Sequence, residues 1–323
     1  MERKKRKVLI IKLGHSETLD VEISKKSSLG DVLRTTVILH ALKNDDVAWL
    51  VDESDYLLLE GNPYVNRIFI YDNATILQLS EEIFDTVINF EKVPGICALA
   101  DRIDAWKKFG FRFNRQTGCA EAHDGAEKVL SMCLNIKEKK EGNIYWQEAL
   151  LGMIGKKWQG EEYILGYKPA SKEIYDIGFN YDVGKKWPNK SWPSKNWKEL
   201  EGLIGGGYSV SWQQGLKNIE DYIEWINSCR LLLTNDSLGL HIALALKKKV
   251  VALFGPTAYR EVYLYDRGVV ILPKGDYKCL PCLAPKCTNN VFCMDNISIQ
   301  QVFSAIEKLL NKKEAEIEIY YYP

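Results

Sequence analysis

The sequence predicts an α/β protein made of two doubly wound domains, and three observations carry that prediction. Short apolar runs rich in Val, Ile and aromatic residues alternate with amphipathic stretches, which is the pattern of parallel β-α-β units. The alternation lapses over 155–173 and then starts again. The chain has 323 residues, more than one hydrophobic core ordinarily organises.

In the first series "KVLIIK" (7–12), "VAWLV" (47–51), "RIFIY" (67–71) and "FDTVINF" (84–90) read as strands, being short, β-branched and aromatic. "LGDVLRTTVILHALK" (29–43) and "GICALADRIDAWKKFG" (95–110) read as helices, with another helical segment near 120–136. The second series runs "IYDIGFNY", helix "NWKELEGLIG", "YSVSW", helix "NIEDYIEWINSC", "RLLLTND", helix "SLGLHIALALKK", "VVALFGP". The expected domains are therefore 1–160 and 174–297, the latter with a cysteine-rich loop at 275–295. The segment 298–323 begins with the amphipathic helix "SIQQVFSAIEKLLNKK" and is expected to pack back on the N-terminal domain. The two domains are expected to face a central cleft, with ligands at the carboxyl ends of the strands.

Composition narrows the partners. Lys plus Arg and Asp plus Glu are 43 each, so no overall field favours nucleic acid. The basic start "MERKKRK" precedes an apolar run too short for a signal peptide or a membrane span. A cytoplasmic protein is expected, with at most a peripheral contact to an anionic (inner) membrane surface. A solvated tail is the simpler reading of those lysines.

Two helix starts stand out. Asn235, Asp236 and Ser237 follow a strand and open a helix, where backbone N–H groups lack intrahelical partners and attract phosphate. Gly239 would let a ligand approach the backbone, and His241, about one turn on, would add a donor. The plain alternative is an N-cap at Asp236 or Ser237 and a packed histidine. The other start is "SSLGD" (27–31), where Ser28 and Asp31 approximate a capping box. Alternatively, Asp31 is a carboxylate at the end of the first strand, kept ionised by the helix dipole and ready to act as a general base.

The loop "CLPCLAPKCTNNVFC" places Cys279, Cys282, Cys287 and Cys293 within fifteen residues. Four thiolates that close suit a closed, structural Zn or Fe site. Disulfides, which a reducing compartment opposes, and coincident free thiols are the alternatives.

Together "SLGDVLRTT" (28–36), "KSWPSKNW" (190–197), "NDSLGLHIALAL" (235–246) and "VVALFGPT" (250–257) resemble glycosyltransferase family 9, the ADP-heptose:lipopolysaccharide heptosyltransferases and their relatives. The resemblance implies the glycosyltransferase-B fold of two Rossmann-like domains. It also implies inverting transfer of a sugar, a heptose first, from a nucleotide diphosphate donor such as ADP-heptose to a saccharide or protein hydroxyl, with no cofactor for catalysis. Asp31 matches the family's catalytic aspartate, Lys190 its donor-phosphate lysine, and Asp236, Ser237, Gly239 and His241 its donor-binding segment. Some relatives carry a structural iron on four cysteines.

Three departures accompany the likeness. Leu238 stands between Ser237 and the glycine, an insertion (14–27) separates the first strand from "SLGD", and "SWQQG" (211–215) replaces an acidic residue near the nucleoside, where Gln213 or Gln214 would substitute. Arg34 and the stretch 107–112 could face an acidic acceptor, although a solvated surface is the simpler reading. A nucleotide-sugar epimerase of the same fold, or a catalytically silent scaffold, are the competing functions.

Overall fold

The computed structural model describes residues 4–15, 27–215, 218–311 and 321–322. The chain divides into two compact units, Met1–Tyr167 and Lys168–Pro323, and the division falls inside the expected linker.

The first unit contains β1 (Lys7–Ile11), α1 (Leu29–Thr35), β2 (Asp46–Val51), α2 (Tyr56–Leu59), β3 (Arg67–Ile70), α3 (Asn73–Glu81), β4 (Ile83–Asn89), α4 (Pro94–Arg102), β5 (Asp104–Phe113), β6 (Ala120–Ala122), α5 (Glu127–Leu134), α6 (Ile136–Glu141) and α7 (Trp146–Met153). Its sheet runs β3-β2-β1-β4-β5-β6, parallel except for β6 against β5. Leu9 and Ile11 of β1 and Phe84 and Val87 of β4 pack on Ile96, Leu99 and Ala100 of α4, so this core lies between the sheet and its crossover helix.

Three sequence expectations change here. The helix expected over 95–110 ends at Arg102, and "DAWKKFGFRF" is strand β5, in register with β4 from Ile83↔Asp104 to Asn89↔Gly110. Its lysines and half-exposed pattern mimic an amphipathic helix, but a β partner is available and the β-strand wins. The helix expected over 29–43 is α-helical only to Thr35 and continues as 3₁₀ over Thr36–Leu42, where β-branched Thr36, Val37 and Ile38 crowd the wider turn. The segment near 120–136 is β6 followed by α5.

The second unit contains β7 (Tyr175–Asn180), α8 (Ser194–Ile204), β8 (Val210–Trp212), α9 (Ile219–Asn227), β9 (Cys229–Asn235), α10 (Leu238–Ala245), β10 (Lys249–Leu253), β11 (Gly268–Ile271), α11 (Ile299–Asn311) and β12 (Tyr321–Tyr322). The sheet is parallel throughout, in the order β12-β11-β10-β9-β7-β8. The last helix, expected to pack back on the N-terminal domain, packs within its own unit through Val302, Ala305, Ile306 and Leu309, which are buried with Leu231, Leu233, Val251 and Val269. The apolar stripe of α11 covers one face of its own sheet, which would otherwise expose β-branched residues to water.

In each sheet the chain order reverses once beside the first strand, between β1 and β4 in the first unit and between β7 and β9 in the second. Crevices at such reversals, outside the carboxyl ends of the strands, are where doubly wound sheets bind ligands.

Candidate active-site residues

At the first reversal the strand ends deliver two charged residues. Lys12 follows β1 and Glu91 lies just beyond β4, and both are buried. Lys12 Nζ pairs with Asp31 Oδ2 and lies 3.3 Å from Glu91 Oε1. Burial opposes the lysine's charge, but Asp31 and Glu91 outweigh it and raise its pKa above the ordinary lysine value. Glu91 Oε1 also accepts the backbone N–H groups of Leu13 (2.8 Å) and His15 (3.3 Å).

Asp31 therefore sits in the first turn of α1, buried, in an ion pair that the capping-box reading did not contain. Ser28 is the N-cap residue, but its side chain makes no capping hydrogen bond. Its backbone N–H instead donates to Gly14 C=O at 2.9 Å. Gly14 has φ +75°, and a Cβ there would run into the Ser28 backbone, so glycine is what lets the two ends of the insertion meet. Of that insertion, 16–26 lie outside the described residues.

Beside this cluster Asp55 is fully buried and accepts from the hydroxyls of Ser27 and Ser54. Burial pushes its pKa up to about 7 in spite of those hydrogen bonds. Arg34 stacks its guanidinium 5.3 Å from the Trp146 ring, and Lys107 its ammonium 4.5 Å from the Phe109 ring. Behind the same sheet, at its amino end, a hollow of about 580 Å³ is lined by Lys4, Lys5, Arg6, Lys43, Asn44 and Asp45.

At the second reversal the structure brings together Lys190, Asp236, Ser237 and His241. Lys190 ends the turn Pro188–Lys190 after β7, its ammonium 5.1 Å from the Trp187 ring and 3.0 Å from Asp236 Oδ2. Burial would raise the Asp236 carboxyl, but the charges of Lys190 and His241 bring it down to about 2, with the Thr257 hydroxyl nearby contributing in the same direction. Ser237 is the N-cap residue of α10 in extended conformation, yet it makes no capping hydrogen bond. Its Oγ accepts from Asn180 Nδ2 at 3.0 Å, and the same amide donates to Thr234 Oγ1 at 2.7 Å while Tyr222 OH donates to Asn180 Oδ1 at 2.7 Å.

Gly239 also has a reason within the fold itself. A Cβ there would collide with the Asn180 amide and the Tyr222 hydroxyl. The glycine lets α10 close onto the protein's own polar network. Nearby, Gln213, Gln214, Gly215, Asp221, Tyr222 and Trp225 line a hollow of about 200 Å³, and the buried Gln213 Oε1 has no hydrogen-bond partner among the described residues.

The cysteine loop braces this cluster. Asn189 Nδ2 donates to Ala284 C=O, and Leu283 N–H donates to Pro256 C=O at 2.8 Å, beside Lys190 and Thr257 respectively. None of the four cysteines of the loop forms a disulfide among the described residues. Burial raises the Cys282 and Cys293 thiols, and neighbouring cysteines raise them further, Cys293 to about 11. The expected tetrahedral set is nevertheless not assembled: among the described residues no three His, Cys, Asp or Glu side chains are arranged to hold a metal ion. Cys293 is packed into the hydrophobic core against Gly255, whereas Cys287 is exposed. The donor atoms suit a metal in kind and neighbourhood, but not in arrangement.

Sequence reasoning missed Lys12, Glu91, Asn180 and Tyr222. The signal for Lys12 was present: a charged residue directly after the apolar run "VLII" is buried at the ligand end of the sheet.

The two reversals, each with a buried charged cluster at the carboxyl end of its sheet, define a protein of glycosyltransferase-B architecture. Residues 215–292 match the family model of glycosyltransferase family 9 (heptosyltransferase). Lipooligosaccharide heptosyltransferase 2 of Campylobacter jejuni subsp. jejuni serotype O:6 is 34% identical over 199 residues, which cover 57% of this chain and 61% of that relative. The match thus spans under two thirds of the relative's length. Among solved structures, the E. coli ADP-heptose LPS heptosyltransferase II superposes with a TM-score of 0.67 at 18% identity, covering 94% of this chain and 98% of that one. The iron-containing dodecameric glycosyltransferase TibC of enterotoxigenic E. coli gives 0.58 at 13% identity, covering 96% and 77%. At these identities the structural likeness concerns the fold. The resemblance to family 9 read from the sequence is thus met again, both in the sequence comparison and in the fold.

Proposed function

We propose that the chain is an inverting glycosyltransferase that moves a heptose from ADP-heptose to a saccharide hydroxyl of a lipooligosaccharide-type acceptor. The observation that carries this reading is the buried Asp31 carboxylate at the ligand end of the first sheet, held by Lys12. The names of the family model and of the relatives support heptose and ADP.

In the proposed step Asp31 takes the proton of the acceptor hydroxyl as its oxygen attacks the anomeric carbon. The bond from that carbon to the diphosphate breaks on the opposite face, its electron pair leaves on the diphosphate, and the configuration inverts. Negative charge grows on the leaving group. Lys190 and the N-terminus of α10 supply positive charge for it, and His241 a further donor. Asp236 is an anion and does not bind phosphate directly; it holds Lys190 in place and lies within electrostatic reach of His241. The hollow at Gln213 is offered to the donor's nucleoside.

Two further assignments belong to this reading. The basic hollow around Lys4, Lys5, Arg6 and Lys43 suits a peripheral contact with an anionic membrane surface; no helix among the described residues is long and apolar enough to cross a membrane. The cysteine loop is assigned one structural Zn or Fe, supported by four thiols outside any disulfide, of which Cys282 and Cys293 are raised in part by their neighbours, and by a fold neighbour described as iron-containing.

The decisive experiment compares wild type with Asp31→Asn, using ADP-heptose and a deacylated lipooligosaccharide core. The variant should lose at least ~100-fold in turnover while binding ADP like wild type. Near-normal turnover would reduce Asp31 to a helix-terminus residue and sink the reading.

A further inference from the structure

A lysine buried between two buried carboxylates is a costly arrangement unless the charges depend on each other. Lys12 is 3% exposed, and the Asp31 and Glu91 side chains 7% and 0%. Each comes from a different segment: Lys12 from the end of β1, Asp31 from the first turn of α1, Glu91 from the loop after β4.

We propose that Lys12 is the positioning residue of Asp31, its ammonium holding that carboxylate ionised and oriented through Oδ2, while Glu91 keeps the ammonium charged and in place once Asp31 has taken a proton. The inference rests on the reading of Asp31 as the general base.

The reasoning is electrostatic. A carboxyl as buried as Asp31 favours its neutral form, which cannot accept a proton. A cation in contact reverses that preference, but a simple Lys–Asp pair has a defect. When Asp31 becomes neutral, the buried ammonium loses its only counter-charge. Glu91 removes the defect because it lies within reach of the same ammonium and is itself fixed by the N–H groups of Leu13 and His15, one and three residues beyond Lys12. The turn that carries the lysine thus also carries the donors that hold its second partner.

Other charged groups around the cluster are Asp55, which Lys12 influences from the loop after β2, and Lys92, whose own charge opposes that of Lys12 from the loop after β4. His15 faces Asp52 at 3.4 Å in the turn after β1. Lys12 itself lies in ion-pair range of both Asp31 and Glu91.

The test follows the Asp31 carboxyl directly, by ¹³C NMR titration of the full chain labelled at aspartate carboxyls, with the Asp31 signal assigned by its loss in Asp31→Asn. Lys12→Met should raise the Asp31 midpoint by about one pH unit or more, and Lys12→Arg should leave it near wild type. Glu91→Gln, which can still accept from Leu13, should move it the opposite way, because a neighbouring negative charge is gone. The acid limb of the kcat profile for heptose transfer should follow the same order. A merely structural lysine would lower activity without moving either midpoint.

A Lys12→Met midpoint within about 0.3 unit of wild type overturns the inference. Should that variant fail to fold, Glu91→Gln decides, and an unmoved or raised midpoint overturns it equally. The two readings fail separately. If Asp31→Asn still transfers heptose, the base assignment falls; if Asp31→Asn is inactive and the midpoints do not move, only the role of Lys12 falls.

Discussion

Lys190 Nζ lies 3.0 Å from Asp236 Oδ2, joining two strand-to-helix junctions of one sheet. The pair holds a cation at the N-terminus of α10 before any phosphate arrives. Lys190→Ala should therefore weaken ADP binding about tenfold or more, the scale of a charge-assisted hydrogen bond. Isothermal titration calorimetry measures it, and unchanged affinity in a folded variant would discard the phosphate role. The variant should also lose stability above about pH 4, and the difference from wild type should fade as pH falls toward 2. The depressed Asp236 pKa contributes stability that is fully present above the ordinary value of 3.8 and lost as pH falls toward 2; removing the lysine removes most of that contribution.

Gly239→Ala tests whether the glycine serves the protein's own network. A methyl group there meets the Asn180 amide and the Tyr222 hydroxyl, both buried. We expect a loss of about 1–3 kcal/mol, the usual cost of overpacking a tight site, together with weaker ADP binding because Ser237 loses its Asn180 partner. Denaturant melts and calorimetry read the two effects. A variant as stable as wild type would show that α10 can shift freely, against the packing described.

The sequence disclosed the architecture because burial on both faces leaves a plain record in parallel strands: "KVLII" and "RLLLTN" can hardly be anything else. It singled out Asp31, Asp236, Ser237 and His241 because strand ends and helix starts are visible as composition changes, and Lys190 through the resemblance of "KSWPSKNW" to family 9. It did not disclose that Asp31 pairs with Lys12, since the two are separated by an insertion and meet only in the fold. Nor did it disclose β5, whose lysines hide its alternation, or the side of α11 that is covered, which an amphipathic pattern leaves open.

Asp55 supplies a test that depends on pH. Its pKa is raised by burial from 3.8 to about 7, so between these values the folded protein holds a proton that the unfolded chain releases. Stability from this group is thus fully present below 3.8 and is lost as pH rises through 7. Asp55→Asn keeps an acceptor for Ser27 and has no charge to bury. The stability difference, variant minus wild type, should grow between pH 4 and 8 by roughly 2–4 kcal/mol. Thermal melts across that range measure it, and a difference independent of pH would refute the raised pKa.

The last prediction concerns Cys282, which precedes the two residues that clasp the donor cluster. Leu283 and Ala284 bond Pro256 and Asn189, and these adjoin Thr257, which lies near Asp236, and Lys190, its ion-pair partner. A metal drawing Cys279, Cys282, Cys287 and Cys293 together would stiffen a loop that is rich in turn residues. Cys282→Ser should then lower metal content and ADP affinity together. The proton transfer at Asp31, in the other unit, should be spared once donor is saturating, so the loss appears in KM rather than kcat. Elemental analysis of protein purified without chelator reads the first effect. Less than about a tenth of an equivalent of Zn or Fe in wild type, with the four thiols titratable in the native protein, excludes the metal. In that case a fall in ADP affinity on substitution would still show the loop bracing Lys190 through its backbone contacts alone, whereas unchanged affinity would show that the brace does not reach the ligand.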